Sequence, residues 1–94
     1  MNEKDDIILE YLNSIAPSAE PPAVIYFNIN RRSSEFNLDQ RTDGGFSLNT
    51  LRNRIDTLED HGLVEVVREK GRYRAITEEG QAYLRGEFDA SEGA

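Results

Sequence analysis

Between residues 4 and 16 the apolar side chains recur as Ile7, Ile8, Tyr11, Leu12 and Ile15, a three-and-four spacing that gathers them on one face of a helix. Acids occupy the first turn, where they suit the positive end of the helix dipole, and Pro17 stands just beyond the last turn. An amphipathic helix over 4–16 is expected. Pro21 and Pro22 then lead into Ala23, Val24, Ile25, Tyr26, Phe27, Asn28 and Ile29, which fits either a proline-started helix or a buried strand. The proline pair favours the helix; the β-branched and aromatic content keeps the strand open.

From Asn30 to Phe46 the chain is polar, with only Phe36 and Leu38 to bury, and it reads as a long mobile loop. The clearest element follows. Ser47 is a good N-cap, Leu48, Leu51, Ile55 and Leu58 form one apolar stripe, and Gly62 stands where a left-handed glycine ends a helix. Leu63 is placed to close onto Leu58. Residues 63–69 are strand-like, Lys70 and Gly71 fit a two-residue turn, and 72–76 return as a second strand, predicting a β hairpin. Thr77 caps a final helix in which Ala82, Tyr83 and Leu84 pack back on the core. The order is helix, helix, loop, capped helix, hairpin, helix, giving one domain over 1–88 and a flexible tail over 89–94.

Composition narrows the function. Ninety-four residues with 37% hydrophobic content bury one modest core. No apolar run approaches the roughly 18 residues of a membrane span, and residues 1–6 lack the basic-then-apolar pattern of a signal peptide, so a soluble cytoplasmic protein is expected. Without cysteine there are no disulfides, thiolate metal sites or thiol catalysis. No phosphate loop, nucleophile elbow or histidine–carboxylate motif occurs. Asp5/Asp6, Glu59/Asp60 and Glu78/Glu79 are adjacent pairs that point to different helix faces. No enzymatic activity and no cofactor or metal are expected, and His61, the single histidine, is expected to be a cap or simply exposed.

The net charge of −7 has the wrong sign for a nucleic-acid binder, yet its distribution is uneven. Residues 1–30, 55–67 and 75–94 each carry −4, while 31–54 carry +2 and 68–74 carry +3. Nine of the 11 cations are Arg, leaving Lys4 and Lys70; many acids with few lysines resemble halophilic proteomes. In molar salt the screening length falls to about 3 Å, so remote acids barely repel DNA.

At about 100° per residue, the stripe on the capped helix leaves Asn53 pointing away from the core, with Asn49, Thr50 and Thr57 beside it. Asparagine reads an adenine edge with two hydrogen bonds, and hydroxyls serve base edges or phosphates. Arg52 and Arg54 flank this centre, and Ser47 opens a helix end whose amides suit an anion. Arg68, Lys70, Arg72 and Arg74 crowd the hairpin, where such a tip straddles a phosphate backbone. The plainer alternatives are a solvated helix face and edge charges that prevent strand aggregation. Arg31, Arg32 and Arg41 are interleaved with Glu35, Asp39 and Asp43 and read as solvated loop.

The run Ser47-Leu-Asn-Thr-Leu-Arg-Asn-Arg-Ile-Asp-Thr-Leu-Glu-Asp-His-Gly-Leu-Val-Glu resembles the recognition helix and first wing strand of winged helix-turn-helix regulators. Tyr73-Arg-Ala-Ile-Thr-Glu-Glu-Gly-Gln-Ala-Tyr-Leu-Arg-Gly-Glu resembles their second strand and closing helix. Leu58-Glu59 before Gly62-Leu63-Val64-Glu65, with Ile76-Thr77-Glu78-Glu79-Gly80 after it, is especially similar to small haloarchaeal regulators grouped with a halophage repressor. The resemblance, carried by 47–87, implies an α+β winged helix: a three-helix core, a two-stranded wing and a C-terminal helix. It further implies a homodimeric regulator, read as a repressor, on double-stranded DNA. Base reading then falls to Asn49, Thr50 and Asn53, and phosphate contact to Arg54, Arg72 and Arg74. The alternative is a winged-helix module turned to protein partners. The chain departs from the pattern in the polar stretch before Ser47, where such regulators have a short turn.

Overall fold

The computed structural model describes residues 2–42 and 46–86; the expected tail 89–94 lies outside them. The chain is α+β, with six helices and one antiparallel hairpin among the described residues.

The first helix, α1, spans Glu3–Ile15 and opens on a reciprocal cap: Asn2 Oδ1 accepts the Asp5 N–H (2.9 Å), and Asp5 Oδ2 accepts the Asn2 N–H (3.1 Å). Its inner face carries Ile7, Ile8, Leu9, Tyr11 and Leu12, all buried. Residues Pro22–Arg31 form α2, so the apolar run after the prolines is a helix, with Pro22 in its first turn. Ile25 and Ile29, four apart, are buried, while Phe27 between them is 61% exposed. Residues two apart share one face of a strand, but on a helix they diverge.

The expectation of a loop over 30–46 is corrected. Ser33–Phe36 forms α3 and Leu38–Arg41 forms α4, hinged at Asn37, whose φ of 51° is left-handed. Asparagine tolerates that region better than most residues. Phe36 and Leu38 drop into the core, with Phe36 edge-on to Tyr11 at 6.3 Å. Arg41 reaches back to α1, pairing with Glu3 and forking onto both carboxylate oxygens of Glu10 at 2.8 Å. Within that stretch, Asp43, Gly44 and Gly45 lie outside the described residues.

Helix α5, Leu48–Asp60, is capped as its sequence predicts: Ser47 Oγ accepts the Thr50 N–H at 3.1 Å. At its other end Gly62 has φ 78°, its N–H bonds the Glu59 carbonyl, and the Leu63 N–H bonds the Leu58 carbonyl, both at 3.0 Å. That pair of bonds is the Schellman arrangement, which turns the chain sharply into the hairpin. Strands β1 (Val64–Arg68) and β2 (Tyr73–Ile76) pair Val64 with Ile76, Glu65 with Ala75 and Val66 with Arg74. A bulge at Val67 then shifts the register so that Arg68 faces Tyr73. The turn is longer than the expected two residues. Glu69 to Arg72 form it, with Gly71 at φ 85°, Arg72 at φ 52°, and the Arg72 N–H on the Glu69 carbonyl at 2.9 Å. On its other edge β2 meets Glu20, whose backbone exchanges two hydrogen bonds with Arg74 (2.9 and 3.1 Å).

The last helix, α6 (Glu78–Leu84), is capped by Thr77 and half-buries Ala82, Tyr83 and Leu84 as expected. It is tied to α1 by the Tyr83 hydroxyl on Asp6 (2.7 Å) and by Gln81 on Asn13 (3.1 Å). Helix α1 therefore lies at the centre, against α2, α5, α6 and β2. Every buried side-chain polar atom among the described residues has a partner. No described helix is long and apolar enough to cross a membrane.

Candidate nucleic-acid interface

The outward face of α5 presents Asn49, Arg52, Asn53, Asp56 and Asp60 to solvent. Neither amide side chain, nor Arg52, has a side-chain partner among the described residues. Thr50 is half-buried beside the cap, where its Oγ1 accepts the Ser47 hydroxyl at 3.1 Å. Thr57 turns its hydroxyl to the Asn53 carbonyl (3.1 Å). The two halves of the face differ in sign, since Arg52 lies in the first half and Asp56 and Asp60 in the second.

Arg54 does not flank this polar centre as its position predicts. Its guanidinium turns to α1 and forks onto both oxygens of the fully buried Asp5 at 2.8 Å. That hydrogen bond holds the Arg54 pKa above its ordinary value.

The hairpin cations divide into two kinds. Lys70 is exposed at the turn with no partner among the described residues, and Arg68 lies over the Tyr73 ring, 5.2 Å from its centroid. Arg72 is 48% exposed and makes long contacts to Glu69 (3.3 Å) and Glu59 (3.5 Å). Arg74 is only 2% exposed, with Nη2 on Asp56 at 2.8 Å and Nε on Glu59 at 3.0 Å. Arg74, expected at phosphate, is placed differently from Arg72: its Nε and Nη2 are turned to α5.

Between α5 and the hairpin lies a cleft of about 300 Å³, lined by Pro22, Arg52, Ile55, Asp56, Gly71, Arg72 and Arg74. It brings together Arg52 of α5 and Arg72 of the turn, 20 positions apart in the chain, with Pro22 of α2 on its rim. Sequence reasoning placed Asp56 and Glu59 on α5 as acids that repel phosphate, but missed them as partners of Arg72 and Arg74 and missed Pro22 as part of this site. The spacing of Asp56 and Glu59, one helical turn apart opposite a strand arginine, was the available signal.

Of the other arginines, Arg32 bonds Glu35 and stacks over Tyr11 and Phe36, and Arg31 lies over Phe27 at 5.7 Å. Behind Arg32 the Tyr11 hydroxyl donates to Glu20 (2.7 Å) and accepts from Asn28 (2.9 Å). Burial, and then the Glu20 bond, push its pKa up to about 12. His61 sits exposed at the C-terminal cap of α5. Among the described residues no group of three or more His, Cys, Asp or Glu is placed to hold a metal ion. Comparison with protein-family models, with characterised proteins and with solved structures finds no match to this chain.

Proposed function

We propose that this chain is a winged helix-turn-helix regulator that binds double-stranded DNA in a sequence-specific manner, with α5 in the major groove and the hairpin as the wing. The observation that carries the reading is the cleft lined by both Arg52 of α5 and Arg72 of the hairpin, on a helix that also exposes two amides without side-chain partners, Asn49 and Asn53. Amides on a helix face supply base recognition, while flanking cations supply the sequence-independent grip on the backbone. Arg52, Arg68, Lys70 and Arg72 are the phosphate contacts in this reading; Arg54 and Arg74 are not. Asp56 and Asp60 require the C-terminal half of α5 to tilt out of the groove, so its first two turns do the reading.

The proposal includes a homodimer on a pseudo-palindromic site acting as a repressor, which rests on the resemblance of residues 47–87. It also includes a salt-rich working medium, in which the remaining surface acids are screened. Selection of bound fragments from the source genome, followed by anisotropy titration from low to molar KCl, tests it. Recovery of a palindromic motif is the expected result. A folded protein that enriches no fragment at any salt overturns it.

One observation favours a second reading, a protein-binding module. Phe27 and Val24 on α2 are 61% and 40% exposed. Loss of partner capture on Phe27→Ser, with wing variants behaving as wild type, would identify that case.

A further inference from the structure

Arg74 occupies an unusual place for a strand arginine. Its backbone is paired on both edges, to Val66 on one side and Glu20 on the other, so its Cα is fixed within the hairpin. Its side chain then leaves the hairpin for α5, where Glu59 accepts from Nε and Asp56 from Nη2, two of the three guanidinium nitrogens. Those carboxylates stand one helical turn apart, and together they fix the direction of the guanidinium plane as well as its position. Arg72, two residues earlier, touches the same Glu59 from the solvent side at 3.5 Å and stays half-exposed.

A side chain that is 2% exposed, with Nε and Nη2 already engaged, has little to offer a polymer lying on the surface. A half-exposed one with long, screened contacts exchanges partners at little cost. We propose that Arg74 is a positioning residue, a charge lock that acts through Asp56 and Glu59 to hold the hairpin at a set angle to α5, while Arg72 is the exchangeable contact that leaves Glu59 for a DNA phosphate. The Arg72 half rests on the DNA-binding reading; the lock is a property of the free protein. An apolar side chain at 74 fills the same space but makes no directed bond to α5, so it does not specify the angle.

Amide hydrogen exchange on the full chain tests the lock without DNA. In Arg74→Met, and separately in the double variant Asp56→Asn/Glu59→Gln, the β1 and β2 amides exchange at least about tenfold faster while α1 keeps its wild-type rates. Arg74→Lys, which keeps the charge but loses the fork, recovers part of the protection. On a selected DNA fragment Arg74→Met weakens binding about tenfold with no change in the slope of log affinity against log salt. Arg72→Ala lowers that slope by about 0.9, one phosphate's worth. Wild-type hairpin exchange in Arg74→Met overturns the lock, as does a slope loss equal to that of Arg72→Ala. Should Arg74→Met fail to fold, the carboxylate double variant decides by the same exchange measurement. Should the wild type bind no DNA, the regulator reading fails while hairpin exchange still judges the lock.

Discussion

Arg54 and Asp5 meet through two parallel hydrogen bonds of 2.8 Å across 49 positions of sequence, joining the N-terminus of α1 to the middle of α5. Asp5 is fully buried and also closes the cap of its own helix. One carboxylate thus serves a helix start and a tertiary contact at once.

Removing one partner of a buried pair leaves the other uncompensated. Arg54→Ala is expected to destabilise the fold by about 3 kcal/mol, the low end of the usual range because the arginine remains 31% exposed. Urea unfolding followed by circular dichroism measures this. A loss below about 0.5 kcal/mol, the level of a surface pair, would contradict the assignment.

Gly80 sits buried in α6 with a normal helical backbone, so alanine there ought to help by about 1 kcal/mol on propensity alone. Space decides otherwise: an added Cβ lies 2.3 Å from the Leu63 carbonyl oxygen and 2.6 Å from Ile76 Cγ1. That carbonyl also holds the Thr77 N–H at 3.1 Å and is not free to yield. Gly80→Ala is expected to lower stability by about 2 kcal/mol; a rise in melting temperature would show that α6 slides without cost.

Tyr11 is raised from 10.0 to about 12 by burial and its bond to Glu20, and Tyr83 is raised further, by burial and its bond to Asp6. A raised folded-state pKa favours the proton-bound form, so this stability is complete below pH 10.0. It is lost as the unfolded chain ionises and pH climbs through about 12. Melting temperature should therefore fall over that window, with tyrosinate absorbance from these two rings appearing only on unfolding. Early ionisation of all four tyrosines in the folded protein would refute it.

Asp39, Asp60, Glu65, Glu78 and Glu79 are exposed acids without ion-pair partners among the described residues. Their mutual repulsion opposes folding and is screened by salt, whereas the Asp5–Arg54 pair is shielded from it. From dilute buffer to molar KCl the chain should gain about 1 kcal/mol, or about 5 °C in melting temperature. A salt-independent melt would remove the argument for a salt-adapted surface.

If α5 reads DNA, Asn53→Ala should relax sequence preference at one base-pair position, by about 1–3 kcal/mol of discrimination. Arg52→Ala should instead weaken binding to all sequences alike and flatten its salt dependence. Identical behaviour of the two variants across a panel of single-base operator changes would contradict the division of roles.

The legible parts of this chain are those governed by neighbours in sequence. Ser47, the Leu48-to-Leu58 stripe, Gly62 and Leu63 act within a few positions of one another, so α5 and both its ends are readable directly. The stretch 33–42 is not. A four-residue helix has no period to detect, and its placement depends on Arg41 finding Glu3 and Glu10 more than 30 positions away. The site fails for the same reason: Arg54 and Arg74 look like surface cations until the distant carboxylates that claim them are known. Exposed residues such as Asn49, Arg52 and Asn53 are where periodicity puts them, because exposure is the default once the stripe is set.

The paired helices α3 and α4 give that stretch a consequence for anyone redesigning the chain. Trimming 33–42 to a tight turn would strip Tyr11 of its Phe36 neighbour and leave Glu3 and Glu10 facing water beside Asp6. What looks in sequence like a removable insert is a lid over the central helix, and chimeras should carry it across whole, together with α1.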